Sequence, residues 1–517
     1  MRFTSSFAHA GYCVRAARLS LLFIFQISIA VSGFAQQQNA RAELPASPVG
    51  KVSGALLKVL NGGEPSAQLD FIQTNFSAAT LKETPPDAWL AFFKKLSEQS
   101  GGLDVMQVSP DSNERFLVLD VRSRRGKHWA RMFFMLSREQ PDKLSGVGAF
   151  GIRDPQAERL DAWTQSKLSE ADAMKEIKRH VETLVGEDRF SGVVLVGKGD
   201  RTIFQGAYGM AEKSFGVANR VDTKFNLGSM NKMFTAVAIA QLVEAGKLSF
   251  EDTLAKVLPD YPNRQVAEKV TVHQLLTHTS GLGDFFDNPE FRPHRERYVK
   301  PADYFPLFAG RPLRFEPGAR VSYSNAGFVV LGAIVERVSG RSYFDYVREH
   351  IYRPAGMTDS DSYELTEVVP NLAVGYARFQ DDPLGIDPRR SNIAFLPWRG
   401  SPAGGGYASA LDLLKFARAL SAHKLLSARM TELVTGAKVS LTGSPRANEK
   451  YGYGFASEVL AGGREIRGHS GGGANSGINS SLLMFRDGSY TVVVAGNYDA
   501  PAAEDLSHKI CEFLARQ

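Results

Sequence analysis

The sequence predicts an α+β fold, in which an antiparallel sheet carries terminal helices on one face and a mostly helical insert. A small N-terminal α+β domain precedes it. Three observations carry this prediction. Residues 192–196 and 201–205 are β-rich runs joined by Gly197-Lys198-Gly199-Asp200, a hairpin signal. Residues 480–485 and 490–494 repeat that arrangement around Asp487-Gly488 near the other end of the chain. Helical patterns flank both hairpins, and the long middle is left as the insert.

Taken in order, the elements begin with a leader. Arg2, Arg15 and Arg18 precede a short apolar run over residues 19–31, and Gly33-Phe34-Ala35 offers small residues for cleavage. Residues 1–35 read as a secretory signal peptide, because the run is too short for a comfortable membrane span. The expected destination is a periplasm or the outside of the cell, with no stable membrane span once the signal is removed. Without those three arginines the formal charge of +6 falls to +3. So mild an excess, with no basic stripe among aromatics, argues against a nucleic-acid partner. Cys13 leaves with the leader, so Cys511 stands alone and no intrachain disulfide is expected.

Residues 36–50 read as a linker, and residues 51–165 as an accessory α+β domain. Helical patterns over 55–60, 69–76 and 89–96 come first. Strand patterns follow over 115–121, 128–136 and 146–152. This order resembles the cone-shaped domains of the nuclear-transport-factor-2-like type. The region carries no chemical motif, and its partner is not specified.

The larger domain is expected over 166–517. Ser169 and Asp172 mark a helix start, and Ile177, Val181, Leu184 and Val185 trace one face of that helix. At the far end Leu506, Ile510, Phe513 and Leu514 repeat at helical spacing around Cys511, which reads as a small buried hydrophobe.

Three short elements carry chemistry. Ser229-Met230-Asn231-Lys232 opens an apolar helix. Residues three apart on a helix have Cβ atoms ~5–6 Å apart, so the Lys232 amine reaches the Ser229 hydroxyl. A serine hydroxyl needs a base to act as a nucleophile. Lysine serves only if its pKa falls from about 10.4 to roughly 7–8, which burial promotes. Tyr323-Ser324-Asn325 supplies a phenol to relay protons and an amide to hold the lysine or a substrate carbonyl. His469-Ser470-Gly471-Gly472 supplies a glycine-rich strand that a substrate can approach. The backbone N–H groups of Ser229 and Gly472 then form a two-donor oxyanion hole. Each element alone is commonly structural, and Ser421-Ala422-His423-Lys424 repeats the first spacing by chance. The ordered combination is the discriminating feature.

These residues resemble the serine β-lactamase and penicillin-binding-protein superfamily, in its class C β-lactamase, DD-carboxypeptidase and esterase branch. His278-Thr279-Ser280-Gly281-Leu282, Pro354-Ala355-Gly356-Met357, Ala403-Gly404-Gly405-Gly406 and Tyr451-Gly452-Tyr453-Gly454-Phe455 look like further landmarks. The resemblance covers residues 168–517. It implies that Ser229 is acylated, that Lys232 and Tyr323 move protons, and that Asn325, His469, Ser470 and Gly471 bind substrate. It implies no metal and no cofactor, and it leaves His273 and His278 structural. His469 and Ser470 stand where β-lactamases of the group usually carry lysine and threonine. A mostly neutral histidine holds a substrate carboxylate less firmly.

The expected activity is therefore hydrolysis of an ester, amide or peptide through an acyl-enzyme, on a small-molecule or peptide substrate. The alternatives are a true β-lactamase and, from another class, a non-catalytic sensor that binds β-lactams or peptidoglycan fragments.

Overall fold

A computed structural model describes residues 42–110, 112–378, 382–441, 446, 448–473 and 475–517. The expected leader lies outside the described residues, as does part of the expected linker. The chain divides into two compact units, the first reaching Ala162 and the second beginning at Trp163.

The first unit is helical, then stranded. Helices α1 (Pro48–Gly62), α2 (Pro65–Asn75), α3 (Ala78–Glu83) and α4 (Pro86–Ser100) precede strands β1 (Leu103–Val108), β2 (Phe116–Ser123), β3 (Trp129–Leu136) and β4 (Leu144–Ile152). The strands form an antiparallel meander in sequence order. Alternate residues Leu117, Leu119 and Val121 of β2, with Ala130, Met132 and Phe134 of β3, join Leu56, Phe71 and Phe93 of the helices in one core. Helices α1, α2 and α4 begin with proline in the first turn, where its missing N–H costs nothing.

Three features differ from the sequence expectation. Helix α1 starts at Pro48, inside the expected linker, because Ser47 caps it by accepting from Gly50 N–H. Strand β1 is an addition, hidden in the sequence because Asp104 and Gln107 interrupt its apolar pattern. Segment Arg378–Pro388, far along the chain, belongs to the first unit. There Gln99 Nε2 donates to Asp382 Oδ1 at 2.7 Å and to Asp387 Oδ1 at 2.9 Å, and Leu384 enters the core.

The second unit begins with α5 (Glu170–Gly186), capped by Ser169, and the hairpin β5 (Gly192–Lys198) and β6 (Arg201–Tyr208). Within the insert lie α6 (Asn231–Glu244) and α7 (Asn325–Ser339). Strands β7 (Ala456–Val459), β8 (Glu465–Gly473), β9 (Ile478–Phe485) and β10 (Thr491–Gly496) follow, and α8 (Ala502–Ala515) closes the chain. With the two-residue strands Val439–Ser440 and Lys450–Tyr451 they make an eight-stranded sheet, which ends in the order β7-β8-β9-β10-β5-β6. Every pairing is antiparallel. The two chain ends of the unit thus meet within the sheet, where β10 pairs with β5.

The sheet is buried on both faces. On one side Val194, Val196, Val492 and Val494 pack against Ile177 and Val181 of α5 and Leu506, Ile510 and Cys511 of α8. On the other side Val193, Leu195, Leu482 and Val493 pack against the insert, with α6 and α7 in its core. Helix α6 is buried on all sides: Met233, Phe234, Val237, Ala238, Ile239 and Ala240 have no exposed surface. An all-apolar helix requires such a position. It is also what carries Lys232 into the interior. No helix among the described residues is long and apolar enough to cross a membrane.

Candidate active site

The site forms where the start of α6, the start of α7 and the end of β8 converge. Ser229 sits on a 3-10 turn, Gly228–Met230, that runs directly into α6. Lys232 lies three residues on and is fully buried. Its Nζ is 3.1 Å from Ser229 Oγ. Two further acceptors fix the amine: Asn325 Oδ1 at 2.8 Å and the Ala403 carbonyl at 2.6 Å. Burial lowers the Lys232 pKa to about 7, while the negative charge of Asp284 pulls it the other way. A neutral amine has two N–H bonds and one lone pair. With the N–H groups on Asn325 and Ala403, the lone pair is left for the Ser229 hydroxyl.

Tyr323 and Asn325 flank Ser324, the N-cap of α7. Ser324 is extended, with φ −139° and ψ 117°, so its two neighbours face the same side. Ser324 Oγ accepts from Gly327 N–H and donates to the Gly283 carbonyl, which pins the turn to the preceding loop. Desolvation raises the Tyr323 pKa above that of a free phenol, and the nearby Ser229 hydroxyl opposes the shift. Although 43% of Tyr323 is exposed, its ring packs against buried His278 with centroids 4.3 Å apart and planes tilted by 31°. Lys232 Nζ stands 4.7 Å from the Tyr323 ring centre.

The third element meets the first through glycines. A Cβ added to Gly471 would stand 1.9 Å from the Leu227 carbonyl oxygen and 2.7 Å from Ser229 N. One added to Gly228 would stand 2.6 Å from Gly472 N. Only bare backbone permits this approach, which brings the N–H groups of Ser229 and Gly472 to one region. The loop Ala403–Gly406 closes the other side: Gly405 N–H donates to the Gly228 carbonyl, and Leu227 N–H donates to the Gly406 carbonyl. Asn231 Oδ1 accepts from Gly406 N–H at 3.1 Å and locks this loop to α6.

His469 and Ser470 turn to internal partners. Ser470 Oγ donates to Ser481 Oγ across the β8–β9 pair at 3.2 Å. His469 is buried; its Nδ1 is 2.5 Å from the Ser470 carbonyl and its Nε2 is 3.0 Å from the Tyr451 hydroxyl. A carbonyl only accepts, so Nδ1 carries the proton and Tyr451 donates to Nε2. Burial, with the positive charge of Lys232 nearby, lowers the His469 pKa to about 3, and the ring is neutral near pH 7. His278 is likewise neutral: burial first, then Lys232, hold its pKa well below the usual value. Its Nδ1 accepts from Ser324 N–H at 3.1 Å, and its ring packs against Tyr323, Phe328 and Tyr451.

Lys232 therefore meets Ser229, Asn325 and the Tyr323 ring, with Gly471 and Gly472 against the Ser229 backbone. Three contributors escape a reading of the sequence as catalytic elements. The Ala403 carbonyl is a backbone atom, signalled only by the glycines that follow it. Tyr451 is visible there only as a landmark. Asp284, six residues after His278, accepts from Asn325 and is one carboxylate among many in the sequence. Among the described residues no group of three His, Cys, Asp or Glu side chains is placed to hold a metal ion.

Known proteins share this fold and sequence pattern. The family model described as Beta-lactamase matches residues 177–516. The chain is 28% identical over 336 residues to esterase EstB of Burkholderia gladioli, covering 59% of this chain and 83% of that one. A solved penicillin binding protein from Bacillus halodurans aligns with a TM-score of 0.56 and 32% identity, over 64% of this chain and 99% of that one. The octameric penicillin-binding protein homologue from Pyrococcus abyssi aligns with a TM-score of 0.57 and 25% identity, over 66% and 77%. The protein belongs to the beta-lactamase family, within the serine β-lactamase and penicillin-binding-protein superfamily, and is a serine hydrolase.

Proposed function

We propose that the protein is an exported hydrolase that cleaves an ester, amide or peptide bond through an acyl-enzyme on Ser229. The observation that carries this reading is the lysine held by Asn325 Oδ1 and the Ala403 carbonyl, with its remaining valence 3.1 Å from Ser229 Oγ.

In the first step the Ser229 proton passes to the Lys232 amine as Oγ bonds to the substrate carbonyl carbon. The carbonyl π electrons move to oxygen, which accepts N–H bonds from Ser229 and Gly472. Such an oxyanion site commonly contributes ~10²–10³ in rate per donor. Collapse of the tetrahedral species breaks the bond to the leaving group. That group takes the Tyr323 proton, and Lys232 ammonium reprotonates the phenolate. Water then attacks the acyl-enzyme, gives one proton to the same pair, and its oxygen leaves on the acid product as Ser229 regains its hydrogen.

Small esters and D-amino-acid peptides are the favoured substrates. A neutral His469, with both nitrogens engaged inside the protein, supports substrates without a carboxylate to be held at that position. The similarity to an esterase and to penicillin-binding proteins is in keeping with this class. Penicillin is expected to acylate Ser229 but to be released slowly. Export follows from the sequence reading of residues 1–35.

The test is intact-protein mass after exposure to a p-nitrophenyl ester, a D-alanyl dipeptide and a penicillin, with product release followed in parallel. A Ser229-dependent adduct with ester or peptide turnover is expected. Folded protein that forms no adduct and turns nothing over would point to a binding protein on a hydrolase scaffold.

A further inference from the structure

The buried lysine depends on which way the Asn325 amide faces, and that orientation has a structural source. Asp284 follows Gly283 and precedes Phe285, whose ring is anchored on Phe291 and Tyr304 with centroids 5.0 and 4.9 Å away. Its Oδ2 accepts from Asn325 Nδ2 at 2.8 Å and from the Asn325 backbone N–H at 3.1 Å. Its Oδ1 accepts from Phe286 N–H at 3.1 Å. Burial raises the Asp284 pKa, and the N–H bonds it accepts from Phe286 and Asn325 favour its charged form. As a carboxylate it is acceptor only, so the Asn325 NH₂ faces Asp284 and its carbonyl oxygen faces Lys232. A reversed amide would set two acceptors together on one side and two N–H donors together on the other. Ser324, by donating to the Gly283 carbonyl, keeps the loop and α7 in this register.

We propose that Asp284 is a positioning residue of the reaction: through Asn325 it aims the Lys232 amine at Ser229. The proposal rests on the acyl-enzyme reading above. The negative charge of Asp284 acts at a distance, through the Asn325 amide, and raises the proton affinity of Lys232 against the effect of burial. The other titratable groups around Lys232 do not change charge near pH 7. Burial keeps His278 and His469 neutral below it, and keeps the Tyr323 and Tyr451 phenols protonated above it. Asp287, which faces Asp284, is paired with Arg314 at 2.5 Å. A change of acid limb near neutrality therefore reports on the Lys232–Asp284 pair.

Two variants separate charge from orientation. In Asp284→Asn the negative charge is gone while an acceptor oxygen remains. The acid limb of kcat/KM for a p-nitrophenyl ester should move to lower pH by about one unit, the low end of the effect of a nearby opposite charge. In Asp284→Ala the amide is released, and kcat should fall by about 10²-fold, the cost of misplacing a reacting group by about an ångström. A merely structural role for Asp284 would lower the amount of folded enzyme without moving the acid limb. A crystal structure of Asp284→Ala gives a readout that does not require turnover: Asn325 Oδ1 should leave Lys232 Nζ. An unmoved acid limb in Asp284→Asn, or an unchanged Asn325–Lys232 contact in Asp284→Ala, overturns the proposal. Failure of the acyl-enzyme reading looks different, because wild-type turnover would then be absent or would survive Ser229→Ala.

Discussion

Asn325 Oδ1 accepts a hydrogen bond from Lys232 Nζ at 2.8 Å, linking two helices that start far apart in the sequence, at Asn231 and Asn325. Each of these helices brings its first turn to the same site. Asn325 thus holds the amine that stands beside Ser229, and the chemistry of the site depends on how the two helices pack.

Ser229→Ala should abolish ester turnover and adduct formation while leaving the fold intact. The residue lies on a turn rather than in a tightly packed core position, so circular dichroism and melting temperature should stay near those of the wild type. Undiminished turnover in this variant would remove the nucleophile assignment.

Tyr323→Phe keeps the ring that packs against His278 and removes only the hydroxyl. Loss of a proton-transfer group commonly costs ~10²–10⁴ in rate. Single-turnover acylation by a p-nitrophenyl ester should slow within that range. A rate within a few-fold of wild type would leave Lys232 to manage the protons alone.

The rate should depend on pH through Lys232. The amine acts as a base when unprotonated, and its pKa is about 7, so kcat/KM should rise with pH through neutrality and level off above it. Stability has the opposite origin. The unfolded lysine binds a proton up to about pH 10.4 whereas the buried one releases it near 7, so this residue destabilises the fold at neutral pH and less so towards pH 10. Lys232→Met should therefore be inactive, and its stability relative to wild type should fall as pH rises from 7 to 10. Melting curves at pH 7 and pH 10 check this directly.

Gly471→Ala tests the backbone approach. The new methyl would meet the Leu227 carbonyl oxygen at 1.9 Å, so β8 must move away from the Ser229 turn. An oxyanion donor displaced in this way should lower kcat by ~10²–10³. Acylation measured beside thermal stability would separate loss of the donor from loss of the fold.

Much of this protein can be read from local pattern. The hairpins at both ends of the second unit, the capped helix after Ser169 and the all-apolar helix after Lys232 follow from periodicities of two and 3.6 residues and from turn glycines. The three chemical elements are also legible, because Ser229 and Lys232 share a helical face and Tyr323 and Asn325 flank one extended residue. Tertiary structure decided what those local patterns leave open. Asp284 and the Ala403 carbonyl come from distant loops, and neither has a spacing that marks it. The sequence expectation gives His469 to substrate binding; the packed structure also sets its Nε2 against the Tyr451 hydroxyl, a partner that no local spacing marks. The segment Arg378–Pro388 joins the first unit although it lies more than two hundred residues beyond it. The physical reason is the same in each case. Short-range sterics and hydrophobic periodicity are encoded within a few residues, whereas hydrogen-bond partners across loops are selected only when the packed core brings them together.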